Sequence, residues 1–205
     1  MHEEVLKQEQ LNLLPLLKLF NKEFYLVGGT AVALQIGHRY SIDFDLFTYN
    51  NIKRKSIKNL LEKNNFSIQN VLFEDSIQLH CIINHVKVTF FQFPYKIKAE
   101  INFKNIIKIP DLLTLSAMKA FALGSRGKWK DYVDLFFILK NYLSFEQISA
   151  SAKLIFGEAF NEKLFKQQLT YFDDVSFMEE VEYLSNPISE NEIKEFLTEI
   201  ALRKF

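Results

Sequence analysis

The spacing of apolar residues changes repeatedly along this chain, and each change marks an element. Over residues 3–20, Val5, Leu6, Leu13, Leu16, Leu17 and Phe20 recur with helical period. Pro15 either opens a second helix there or kinks the first. The apolar run 24–27 predicts a strand, Gly28-Gly29-Thr30 a turn, and 31–36 a short helix closed by Gly37. Alternation returns next: Ile42, Phe44 and Leu46 fall on one side of a strand, Asp43 and Asp45 on the other. Residues 52–63 read as an amphipathic helix, with Ile57, Leu60 and Leu61 inward and lysines outward.

Strand-like runs follow at 66–73, 77–83 and 86–93. Glu74-Asp75-Ser76 and Asn84-His85 separate them, the second suited to a tight hairpin, so they form an antiparallel meander that extends the sheet. Pro94 ends it, and 106–109 reads as a short strand. Pro110-Asp111 opens a helix with Leu112, Leu113, Leu115, Met118 and Ala122 as its apolar positions. After the turn 124–127 a second helix runs from Asp131 to about Tyr142. From Ser144 onward the chain reads as helical, with breaks at 172–177 and 186–187 and a last helix over 189–203. Gln147 stands three residues after Ser144, as a capping box requires. The fold class is α+β, a mixed or antiparallel sheet flanked by helices with a helical C-terminal lobe. We expect one two-lobed unit, a core over 1–109 and a lobe over 110–205.

Composition narrows the classes. With 205 residues, 21 of them Phe, the chain can bury one sizeable core. A formal net charge of zero argues against a general affinity for nucleic acid and leaves only a local basic face. One such candidate is the lysine cluster 53–58, for which a solvated helix face is the favoured reading. Cys81 is the single cysteine, so no disulfide framework forms within the chain, and a cysteine zinc site is not expected. No apolar run reaches membrane-spanning length, and the polar start MHEEVLKQEQ lacks signal-peptide form, so the expected location is the cytoplasm.

The candidate chemistry lies between residues 24 and 47. Two carboxylates on one strand face repel each other, and a divalent cation, or two about 4 Å apart, turns that repulsion into coordination. The competing reading is a solvated strand end. The bend Gly28-Gly29 admits a close ligand without a Cβ in the way, and Thr30 stands where a helix N-cap belongs, so the freed N–H groups suit phosphate. Arg39 is placed to pair with phosphate or brace a carboxylate, whereas His38 reads as a surface loop residue.

These residues carry a resemblance. Gly28-Gly29-Thr30-Ala31 with Ala33-Leu34, then His38-Arg39, Ser41 and Asp43-Phe44-Asp45-Leu46-Phe47, resemble the nucleotidyltransferase superfamily built on the DNA polymerase β catalytic core. More narrowly they are similar to AbiEii-type nucleotidyltransferases of abortive-infection and toxin–antitoxin systems. A second block, Lys119, Arg126, Lys130-Asp131 and Asp134-Leu135, extends the likeness over roughly 15–140.

The resemblance implies an NTP bound at Gly28, Gly29, Thr30, Arg39 and Ser41, with Mg²⁺ or Mn²⁺ held by Asp43 and Asp45. It implies a phosphate-side role for Lys119 and Arg126. Asp131 reads equally as a catalytic carboxylate or as a helix cap. Asp134, within an apolar helix, needs a cationic partner, Lys119 or Arg126. The implied reaction moves an NMP to an acceptor hydroxyl, of a tRNA 3′ end, another RNA or a protein, in a toxin-like setting with a cognate antitoxin. Such enzymes generally carry a third carboxylate where this chain has Thr89. Either another acid such as Asp131 or Asp134 serves, or a cation is held more weakly, or the site only binds nucleotide.

Overall fold

The computed structural model describes residues 1–125 and 127–203. The chain divides into two compact units, Met1–Asp111 and Leu112–Phe205.

In the first unit α1 (Gln8–Asn12) and α2 (Leu14–Leu19) precede β1 (Tyr25–Val27). Pro15 opens α2, where its missing N–H costs nothing. α3 (Gly28–Ile36) follows β1 directly, then β2 (Phe44–Thr48) and α4 (Arg54–Lys63). The meander is β3 (Ile68–Glu74), β4 (Gln78–Ile83) and β5 (Val86–Gln92). Asn84 and His85 both have positive φ, as a two-residue type I′ hairpin turn requires. A separate hairpin pairs β6 (Ala99–Phe103) with β7 (Ile107–Pro110). Its first strand is not legible as one, because Lys98, Glu100 and Asn102 interrupt the apolar signal.

The main sheet has the order β1-β2-β5-β4-β3. β2 pairs antiparallel with β1 but parallel with β5, which makes the sheet mixed and brings the last meander strand beside the aspartates. On one face Phe44, Leu46, Leu79, Cys81, Val88 and Phe90 are fully buried, each large apolar side chain contributing about 1.5–3 kcal/mol. Phe20 and Phe24 close this face edge-on against Phe90, with ring centroids 4.8 and 5.5 Å away. Ile42, expected on the core face, is 48% exposed because the strand begins only at Phe44. β3 is the sheet edge and lies largely exposed, and its two bulges break the regular ladder that another strand would need.

The second unit is helical: α5 (Leu112–Leu123), α6 (Trp129–Asn141), α7 (Phe145–Phe156), α8 (Glu162–Gln168) and α9 (Glu190–Leu202). Stacked rings join the helices, Phe121 on Phe156 at 4.1 Å and Phe145 on Phe165 at 5.1 Å. The capping box of Ser144 and Gln147 forms as expected, and Ser189 caps α9. Trp129 packs between Tyr132 and Phe177.

Candidate active site

The site is organised by the absence of a side chain at Gly28. Its φ of +72° is in the left-handed region, and a Cβ there would lie 2.2 Å from Asp45 Oδ2. The expected phosphate turn is therefore also the cradle of a carboxylate. Gly29 does the same for Arg39, whose Nη2 would stand 2.4 Å from an added Cβ. Gly28→Ala is expected to cost about 1–2 kcal/mol for the backbone conformation alone and to displace Asp45. A thermal melt would register the first effect, and loss of Mn²⁺ affinity the second.

The alternation expected of the aspartates is present. Asp43, Asp45 and Phe47 are half-buried, while Phe44, Leu46 and Thr48 are buried on the opposite face. Asp43 immediately precedes β2, and Asp45 lies within it. Neighbouring strands extend the row across the sheet: Asp45 registers with Thr89, and Thr89 with His80. Thr89 is buried. Lys87, one pleat along, places Nζ 3.7 Å from Asp43 Oδ2. Burial and then the Lys87 ammonium push the His80 imidazole below its ordinary pKa, against the opposing pull of Asp45 and Asp75, so His80 is neutral at neutral pH. Its Nε2 lies 2.8 Å from Gln78 Oε1, a pairing in which the ring nitrogen donates and Nδ1 keeps its lone pair.

Sequence reasoning missed His80 and Lys87. Both stand at strand positions in phase with Gln78 and Thr89, but only the parallel pairing of β2 with β5 places them beside the aspartates.

Asp43 and Asp45 supply hard oxygen donors, with the Thr89 hydroxyl nearby and no thiolate in the row. That donor set fits a hard divalent cation that takes its remaining ligands from water and phosphate. Among the described residues no group of three or more His, Cys, Asp or Glu side chains is gathered to hold a metal alone.

Several expectations change. Thr30 is not the N-cap: Val27 holds that position, because Gly28 already has the helical hydrogen-bonding pattern. The buried Thr30 hydroxyl instead donates to the Asp43 carbonyl oxygen and lies 2.8 Å from Ser41 Oγ. Thr30 and Ser41 thus fasten the segment that delivers Asp43. His38 is 4% exposed, not a surface residue. Arg39 is equally buried, and its Nη1 donates to the Tyr40 carbonyl at 2.9 Å.

In the second unit Lys119, Asp131 and Asp134 form one buried ion cluster. Lys119 Nζ stands 2.6 Å from Asp131 Oδ1 and 2.5 Å from Asp134 Oδ2. Asp134 has the partner its apolar helix demanded, and Asp131 is more than a solvated cap. The cluster links α5 to α6 across twelve residues of sequence. Arg126 lies outside the described residues.

The chain shares its fold with MenT4, a nucleotidyltransferase toxin of Mycobacterium tuberculosis, at a TM-score of 0.64 and 13% identity, over 95% of this chain and 82% of that one. A Helicobacter pylori protein described as a nucleotidyltransferase matches at a TM-score of 0.63 and 16% identity, over 98% of this chain and 94% of that one. The fold is that of the nucleotidyltransferases. An uncharacterized Aquifex aeolicus protein, aq_aa25, is 28% identical over 184 residues, which is 80% of this chain and 89% of the relative. The family model "Nucleotidyl transferase AbiEii toxin, Type IV TA system" matches residues 16–202, and the chain belongs to that family.

Proposed function

We propose that this protein is a metal-dependent toxin that transfers an NMP from an NTP to an acceptor hydroxyl. The observation that carries this reading is the Asp45 carboxylate seated over Gly28, with Asp43 on the same sheet face. Membership of a nucleotidyltransferase toxin family supports it. The triphosphate is bound at the start of α3, where the Gly28 and Gly29 backbone admits close approach. When bound, Mg²⁺ would be held by Asp43 and Asp45 and would neutralise charge developing at the α-phosphoryl group. The acceptor oxygen forms a bond to the α-phosphorus. The bond from that phosphorus to the β-bridging oxygen breaks, and pyrophosphate leaves with the electron pair. His80, a neutral imidazole on this face, accepts the hydroxyl proton. Within the second unit, Asp131 and Asp134 fix the Lys119 ammonium in place. We favour RNA, including a tRNA 3′ end, over protein as acceptor. The family description supports a cognate antitoxin as partner. Among the described residues no helix is long and apolar enough to cross a membrane.

Incubating the protein and Mg²⁺ with α-labelled NTPs, and either bulk RNA or a protein lysate, tests the reading. Label is expected in the RNA. The position of Thr89 beside Asp45 favours one rival, a module that binds nucleotide without chemistry. NTP binding without label transfer, with transfer arising only in Thr89→Asp, would decide for that rival.

A further inference from the structure

The half-buried face that carries Asp45 continues along β2 into Phe47 and then, past the strand end, Tyr49. Phe47 registers with Phe91 on β5, ring centroids 5.0 Å apart. Phe93 joins them at 5.4 Å from Phe47, and Tyr95 follows at 5.4 Å from Phe93. Lys96 places its ammonium 5.3 Å from the centre of the Tyr49 ring, and Tyr49 is 48% exposed. Asn51 accepts from the Gln92 side chain at 2.9 Å, which ties the segment after Tyr49 to the end of β5. Lys53 and Lys55 follow, both exposed.

We propose that this row is a stacking platform for the unpaired bases of a single-stranded RNA, running from Tyr49 and Lys96 past Phe47 and Phe91 toward Asp45. Phe93 is buried within the row, but the half-buried Phe47, Phe91 and Tyr95 and the exposed Tyr49 are not needed for the hydrophobic core. That role belongs to Phe20, Phe24 and Phe90 on the buried face, and Phe90 and Phe91 point to opposite sides of one strand. A run of rings that ends with the Lys96 ammonium over Tyr49 offers a base both a flat face and a neighbouring cation for its phosphate, the pattern by which proteins hold single strands without reading sequence. A net charge of zero gives the chain no general field to attract nucleic acid, so affinity must come from local contacts such as these. A protein acceptor would present neither flat bases nor a run of phosphates to this row.

The presentation of an RNA 3′ hydroxyl near Asp45 rests on the nucleotidyl-transfer reading; the platform itself does not. The test uses the full-length protein in EDTA, with a short 5′-labelled single-stranded RNA followed by fluorescence anisotropy. The same RNA with abasic residues, and its duplex, are the comparisons. Tyr49→Ala and the abasic strand are each expected to weaken binding about tenfold, while Tyr49→Phe, which keeps the ring, binds like wild type. Lys96→Ala is expected to weaken binding and to flatten its salt dependence. Duplex binding as tight as single-strand binding would overturn the inference. So would an unaffected Tyr49→Ala or an absence of RNA binding. Mn²⁺-dependent NTP binding on the same samples separates the two ideas. RNA binding absent with NTP binding intact sinks only the platform, whereas absent NTP binding sinks nucleotidyl transfer and leaves the platform to the RNA result.

Discussion

Asp45→Asn is expected to lower label transfer from NTP by about a thousandfold, the effect of losing several kcal/mol of charge stabilisation. The substitution keeps the shape of the side chain that lies against Gly28, so the melting temperature should stay close to wild type. What changes is charge: a neutral amide cannot share a divalent cation with Asp43. Mn²⁺-dependent nucleotide binding should fall with the transfer rate. Asp43→Asn should cost less, because Lys87 lies 3.7 Å from the Asp43 carboxylate and already offsets part of its charge. Full transfer by a folded Asp45→Asn protein would remove the basis of the proposed function.

Lys119→Met is expected to be the most damaging change to stability, about 3–5 kcal/mol, because it leaves two buried carboxylates without the ammonium between them. Asp134 is fully buried and Asp131 nearly so, so water cannot take over. Urea unfolding would measure the loss as a lower midpoint at an unchanged slope. Adding Asp131→Asn and Asp134→Leu to Lys119→Met removes both buried carboxylate charges and should return a large part of the stability, though not activity. A Lys119→Met protein as stable as wild type would show that the cluster is not held by charge. A stable triple variant that still transfers label would remove Lys119 from the reaction.

The aspartate strand shows how far pattern carries. Alternation of Phe44 and Leu46 with Asp43 and Asp45 is a local property of a pleated chain, so the shared face of the acids was legible without any fold. The same holds for the Asn84-His85 turn and for the Ser144 cap, where the covalent chemistry of one or two residues decides the backbone, whereas Pro15 left a helix start and a kink both open. His38 and Thr30 were misread for the opposite reason. A histidine in a polar loop is compatible with solvent or with the interior, and a threonine after two glycines is compatible with a cap or with a place inside the helix. Only the path of residues 38–43 against the start of α3 buries them.

Sequence by itself determined most of the elements, though not β6, and with them the α+β class, the pairing need of Asp134 and the family likeness, because these depend on near neighbours and on residue type. Tertiary structure alone decided that β5 runs parallel beside β2. That register put His80 and Lys87 next to the aspartates, beside the Thr89 that the resemblance had already placed there, and continued the same face into Phe47 and Phe91. Strand order is a choice among long-range pairings of similar local pattern. It is settled by which arrangement buries the apolar faces together, and no window of sequence contains that sum.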